Sequence, residues 1–189
     1  MQDAGSKSDV ATVGCAGARR RHSLRRSARR LLVSALSLAA SVVHAEPVAV
    51  RALMVPKEQI KLNFQDGSGH FVLMVRREGQ AVGSGLFDGA KVVEFGRHDI
   101  VPGVGGDPSG YLVITGGASG TAYVKWTIRS VDLPGRDGQL EVHDNGFWEV
   151  VAGTGRFKHL KGTGALRIES AGPVDRLFVL DGTLAAGQP

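Results

Sequence analysis

The segment FWEVVAGTGRFKHLKGTG, residues 147–164, decides the fold. It opens with aromatic and β-branched residues, which favour strands. Its glycines are Gly153, Gly155, Gly162 and Gly164. Glycine permits positive φ and the close approach of two backbones, and Phe157 lies between these glycines. The segment therefore predicts two strands joined at a tight corner.

The rest of the chain repeats this pattern of short strands and glycine-rich connectors. Of the 27 glycines, 24 lie after residue 45, and they separate segments rich in Val, Ile, Phe, Tyr, Trp and Thr. We interpret Asp88-Gly89, Asp137-Gly138, Glu78-Gly79 and Asp144-Asn145-Gly146 as turns. No segment shows a sustained helical apolar repeat. We therefore predict a single all-β domain, either a sandwich or a closed barrel.

Residues 1–45 have the pattern of a cleavable signal peptide. A basic run at residues 19–30 precedes an uncharged, mostly apolar stretch of 13 residues at 31–43. Val43-His44-Ala45 then places small residues at the positions that a signal peptidase requires. A membrane-spanning helix needs about 20 residues, so the stretch is too short for an anchor. We expect a periplasmic or secreted protein that begins at Glu46, exported by either the general or the twin-arginine route, with no membrane anchor after cleavage.

Removal of this leader changes the charge of the protein and its supply of thiols. The leader holds 8 of the 23 Lys and Arg residues and 2 of the 18 Asp and Glu residues, which leaves 15 basic and 16 acidic residues. This balance excludes nucleic acid as a partner, which requires a basic surface. Cys15, the only cysteine, lies in the leader, and the four later histidines have no metal-site spacing. We expect no disulfide, no metal site and no cofactor.

Residues 146–184 resemble the allene oxide cyclase/dirigent group of small β-barrels. The family's element, a strand, G-[TS]-G-x-[FY], three or four residues, G-x-G and a second strand, matches residues 147–164, and Asp175–Leu184 resembles its closing strand. The resemblance implies an antiparallel barrel of eight or nearly eight strands at residues 71–189, preceded by an N-terminal extension and first strand at 46–70. It also implies an apolar ligand cavity, frequent trimers and the steering of small apolar intermediates. We interpret the chain as a bacterial exported member.

Strand periodicity selects Glu94 as the candidate catalytic residue. Glu94 and His98 share one strand face with Val92, while Phe95 and Arg97 share the other. If the Val92 face lines a cavity, Glu94 is a desolvated carboxyl group suited to moving a proton. The alternative is a solvated ion pair with a cross-strand Lys or Arg.

Four aromatic residues are candidates for the lining of a ligand pocket. They are Tyr111, Tyr123, Trp126 and Trp148. Aromatic side chains of this kind equally fill ordinary cores, and the sequence leaves both interpretations open.

Two functions remain open from the sequence. In the first, the barrel binds a small apolar or aromatic molecule and directs its cyclisation or isomerisation without a metal or a cysteine nucleophile. In the second, it is a non-catalytic extracytoplasmic scaffold that self-associates or binds a protein. A hollow interior with a buried carboxylate favours the first function, whereas a filled interior with an apolar outer face favours the second.

Overall fold

The computed structural model describes residues 45–187, so residues 1–44 of the predicted signal peptide lie outside the described residues. The described part is all-β, as predicted, and no helix within it is long and apolar enough to cross a membrane. The strands are β1 (Glu46–Asn63), β2 (Phe71–Ser84), β3 (Lys91–Val101), β4 (Gly105–Gly106), β5 (Ser109–Thr115), β6 (Thr121–Pro134), β7 (Leu140–Gly153), β8 (Leu160–Ser170) and β9 (Arg176–Ala186). Two 3₁₀ turns occupy Gly117–Ser119 and Gly155–Phe157.

Eight of these strands close into an antiparallel barrel. The order around the barrel is β1, β2, β3, β5, β6, β7, β8 and β9, and β9 pairs back with β1 from Glu46↔Leu184 to Met54↔Arg176. The two-residue strand β4 is additional and pairs with both β3 and β6. The closed barrel and its eight strands confirm the predicted fold class.

The strand β1 is an integral part of this barrel. It lies between β2 and β9, and its alternate residues Val48, Val50, Ala52 and Met54 are buried in the core. The barrel therefore begins at Glu46, and our expectation that the barrel domain starts at Phe71 was wrong. The first strand is not an extension, because the barrel could not close without it.

Two of the predicted turns are instead positions inside long strands. Glu78-Gly79 lies within β2, and Asp144-Asn145-Gly146 lies within β7, where Gly146 pairs with Ile128 of β6. A Cβ atom on Gly146 would lie 1.9 Å from the carbonyl oxygen of Thr127. The glycine is needed there because β6 and β7 approach so closely, and it does not reverse the chain.

One end of the barrel is filled by aromatic side chains. The connections β2–β3, β5–β6 and β7–β8 meet at this closed end, where Phe87 and Phe157 are buried with ring centroids 6.1 Å apart. Phe87 also lies 6.0 Å from Trp148, and Arg156 Nη2 donates a hydrogen bond to the Leu86 carbonyl oxygen at 2.9 Å. The corner at residues 153–164 thus belongs to the closed end, with Phe157 inside it.

The closed end allows a matched test of backbone strain. Gly155 and Gly117 have similar left-handed φ values of +55° and +59°, but a Cβ atom would lie 2.4 Å from the Ser119 carbonyl oxygen at Gly155 and in open space at Gly117. The left-handed conformation alone costs a residue with a side chain about 1–2 kcal/mol. We expect Gly155→Ala to lower the urea midpoint clearly more than Gly117→Ala does. Equal midpoints would show that the close contact with Ser119 is unimportant.

Candidate functional site

A cavity of about 530 Å³ enters the barrel at the opposite, open end. The connections β1–β2, β3–β5, β6–β7 and β8–β9 meet there. Its apolar lining consists of Phe71, Leu73, Ile100, Pro102, Pro108, Leu140, Val142 and Ile168. Its polar lining consists of Arg77, His98, Ser130, Asp132, Asp144, Ser170 and Arg176. The barrel is therefore filled at one end and hollow at the other.

The polar residues reach the cavity because they occupy inward positions of their strands. On β2, Arg77 follows Leu73 and Val75 in the period-two alternation that faces the interior. On β9, Arg176 precedes Phe178 and Leu180 on the inward face. Ionisable side chains are rarely buried unless they are paired, so their partners decide what the site does.

Arg77 and Glu94 form an ion pair inside the barrel. They are directly opposite each other on β2 and β3, and Arg77 Nη1 donates to Glu94 Oε2 at 2.8 Å, with side chains 5% and 0% exposed. Glu94 therefore lies inside the barrel, as the proton-transfer interpretation required. It is also paired with a cross-strand arginine, as the ion-pair alternative required. It does not line the cavity, whereas Arg77 and His98 do.

His98 also contacts this ion pair, and Gly96 lies between His98 and Glu94 on β3. Its Nε2 atom lies 3.3 Å from Glu94 Oε1 and 3.2 Å from Arg77 Nη1. Gly96 separates the two residues on the same face of β3, and a Cβ atom there would lie 2.3 Å from Glu94 Oε1. Because Gly96 has no side chain, the carboxylate can lie over the backbone and reach the imidazole. Arg77, Glu94 and His98 form what we call the basal triad.

Asp144 lines the cavity, as Asp132 does, whereas Glu94 does not. Asp144 lies on β7 opposite Ser130 of β6. Burial raises the pKa of Asp144 above its ordinary value of 3.8, while the Ser130 hydroxyl and the positive charge of Arg176 oppose that shift. Its Oδ1 atom is buried without a hydrogen-bond partner. A carboxyl group with these properties is suited to donating and accepting a proton.

The sequence alternation already indicates that Asp144 lies inside the barrel, but we interpreted Asp144-Asn145-Gly146 as a turn. Val142, Asp144, Gly146, Trp148 and Val150 alternate along β7 on one face. Trp148 and Val150 are buried at the far end of this face. Continuing the alternation backwards from Trp148 would have placed Asp144 inside the barrel.

Arg176 is a half-buried cation without an ionic partner in the described residues. Burial lowers the pKa of Arg176, and the nearby positive charge of Arg77 lowers it further. Its Nη1 atom donates to the carbonyl oxygen of Asp175 at 2.8 Å. No carboxylate of residues 45–187 forms a salt bridge with it.

The four aromatic candidates divide into two groups. Trp126 and Trp148 are fully buried in the core, and the Trp126 ring lies 5.9 Å from that of His98. Tyr111 and Tyr123 are 48% and 40% exposed. They project outwards because they alternate with the buried Leu112 and Val124, and neither lines the open-end cavity nor belongs to the core.

Tyr111 instead lines a groove of about 450 Å³ on the outside of the barrel. Ile60, Met74, Phe95 and Lys125 also line this outer groove, and Phe95 is 51% exposed. The outer groove is thus an apolar surface separate from the open-end cavity.

As to metals, no group of three or more His, Cys, Asp or Glu residues within 45–187 is arranged to hold an ion.

The basal triad predicts a large coupling between Arg77 and Glu94. Removing one member of a buried ion pair leaves an uncompensated charge and costs about 3–5 kcal/mol. We expect Arg77→Met and Glu94→Gln each to lower the free energy of unfolding strongly. The double variant Arg77→Met/Glu94→Gln should lose far less than the sum of the two single variants, as measured by urea unfolding. The exposed pair Arg129 and Asp107, 3.0 Å apart, is the control, and Asp107→Asn should have little effect. Additive losses at Arg77 and Glu94 would contradict the pairing.

Comparisons with known proteins give a likeness in structure only. No protein-family model and no curated protein matches the chain. Two solved structures are similar to it at 10% sequence identity, and both are pterocarpan synthase dirigent proteins. GePTS1 has a TM-score of 0.48, with 77% of this chain and 92% of that chain covered. PsPTS1 has a TM-score of 0.47, with 77% and 97% covered.

Proposed function

We propose that the open-end cavity binds a small apolar or aromatic molecule and moves a proton on it, directing an isomerisation or cyclisation. The observation that carries this proposal is the position of Asp144. A carboxyl group with a raised pKa and an unpartnered oxygen lies at the base of an apolar-walled cavity. Pockets of this kind, mostly apolar with a few converging polar groups, are the usual form of small-molecule sites.

Asp144 is the proton-transfer group of the proposal. An isomerisation needs a group that takes a proton from one atom of the substrate and returns it to another, so that no net proton is consumed. A carboxyl group with a raised pKa is a stronger base than an ordinary one and holds its proton to a higher pH. The guanidinium groups of Arg77 and Arg176 line the same cavity and would stabilise negative charge that develops on the substrate.

Glu94 has a different role in this proposal from the one that the sequence suggested. Because its side chain is fully enclosed and absent from the cavity lining, it is a positioning residue. It holds Arg77 and His98 in place through the contacts of the basal triad. Trp126 and Trp148 form the core beneath the site instead of binding the ligand directly.

The proton transfer can be measured with 5-nitrobenzisoxazole, a small apolar aromatic probe. A base removes its ring C–H proton while the N–O bond breaks, and the product is a coloured cyano-nitrophenolate. We expect the protein to accelerate this reaction and Asp144→Asn to lower the rate at least tenfold, because general bases contribute about 10²–10⁴-fold. Only the ionised form of Asp144 acts as the base. The rate should therefore fall as the pH is lowered, with a midpoint above 3.8.

Asp181→Asn is the matched control for this experiment. Asp181 is an exposed carboxylate on β9, outside the barrel, so its removal should leave the rate unchanged. A rate no higher than that of free acetate, or one that Asp144→Asn leaves intact, would refute the role of Asp144.

Self-association is the second candidate function, and the outer groove is the observation that favours it. Phe95, Met74 and Tyr111 expose about half of their surfaces side by side, and exposed apolar patches often mark protein contacts. We expect light scattering to give the molar mass of an oligomer. Phe95→Lys should dissociate it, whereas Val82→Lys, at an exposed site on β2 outside the groove, should not. A monomeric native protein would remove this candidate.

A further inference from the structure

Two guanidinium groups converge on the base of the open-end cavity with donors that the protein does not use. Arg77 is 4% exposed, and its Nε atom is buried without a hydrogen-bond partner, although its Nη1 atom is bound to Glu94. Arg176 lies close enough for its charge to interact with that of Arg77. Leaving a buried charged donor unsatisfied is costly. Arg77 and Arg176 both line the cavity, so an anionic partner for the two guanidinium groups would enter from it.

The carboxylates around the cavity are already engaged or face elsewhere. Glu94 is bound to Arg77, and Asp132 accepts a hydrogen bond from the Gly103 amide at 2.7 Å. Asp144 lies opposite Ser130, and burial favours its neutral form. None of these groups forms a salt bridge with Arg176 within the described residues. Arg176 therefore has no salt bridge among the described residues, and the negative charges of Asp144, Asp175 and Glu94 act on it only from a distance.

We propose that the natural ligand of the cavity is an organic monoanion, a carboxylate on a ring-sized apolar body, that binds with its carboxylate between the guanidinium groups of Arg176 and Arg77, both of which line the cavity. The substrate class rests on the proposed function, because it names what occupies the same cavity. A carboxylate accepts the paired N–H donors of a guanidinium in a charge-assisted geometry. The apolar body then lies against Phe71, Leu73 and Leu140 towards the open end.

This binding mode also determines which part of the ligand Asp144 can reach. With the carboxylate fixed at the two arginines, the first atoms of the apolar body lie beside Asp144, on the same cavity base. A proton shift close to the carboxylate follows, since the negative charge that develops there is stabilised by the same guanidinium groups. The volume of about 530 Å³ accommodates a one- or two-ring acid.

The experiment compares 2-naphthoate with 2-naphthalenemethanol, which has the same ring system without the charge. Titration of the native protein, followed by naphthalene fluorescence and by calorimetry, should give at least tenfold tighter binding for 2-naphthoate. Arg176→Met should weaken 2-naphthoate binding roughly tenfold, the size of a lost charge-assisted contact, and leave the alcohol unaffected. Arg176→Lys, which keeps the charge, should recover part of the affinity.

Arg167→Met is the control, because Arg167 is an exposed arginine on the neighbouring strand β8. Equal affinities of the native protein for the acid and the alcohol would overturn the inference and leave the proposed function standing. Binding of neither probe would count against both. The comparison on the native protein does not depend on any variant being able to fold.

Discussion

The ion pair between Arg77 and Glu94 is the interaction on which the organisation of the barrel depends. Towards the closed end from this pair, the inward positions hold Val92, Phe87 and Phe157, and the interior is solidly packed. Towards the open end, polar side chains take over and the interior becomes hollow. Because a buried ion pair is stable only when both partners are in place, it fixes the depth at which the filled half ends and the cavity begins.

The cavity depends on this boundary and on two glycines, Gly96 and Gly146, that let neighbouring groups approach closely. Gly96 lets the Glu94 carboxylate reach His98, and Gly146 lets β7 approach β6 so that Asp144 lies next to Ser130. Arg77 Nε and Asp144 Oδ1 are buried without a hydrogen-bond partner, and Arg176 forms no salt bridge within the described residues. Burying polar groups without partners is unfavourable, and an anionic ligand in the cavity would supply a partner for Arg176.

The sequence predicted the fold well because alternation and turn chemistry are local properties. On β6 the apolar residues Val124, Trp126 and Ile128 alternate with polar residues in the sequence, and these three are buried. On β3 the same reasoning left two faces open, because Phe95 is as apolar as Val92 and yet is half exposed. The inward position of Asp144 was missed for a different reason. Asp-Asn-Gly is typical of a turn, and only the proximity of the Thr127 carbonyl, a long-range contact, shows why the glycine lies within a strand.

We propose that the open-end cavity, with Arg77 and Arg176 at its base, is the ligand site. A ¹⁵N-resolved NMR titration of the protein with 2-naphthoate, which follows the Nε–H signals of its arginines, tests this proposal. If the acid enters the cavity, the signals of Arg77 and Arg176 shift together with the backbone amides of Leu73, His98 and Asp144. Shifts confined to Met74, Phe95 and Tyr111 in the outer groove, with both arginine signals unmoved, would place the ligand outside the cavity and refute the proposal.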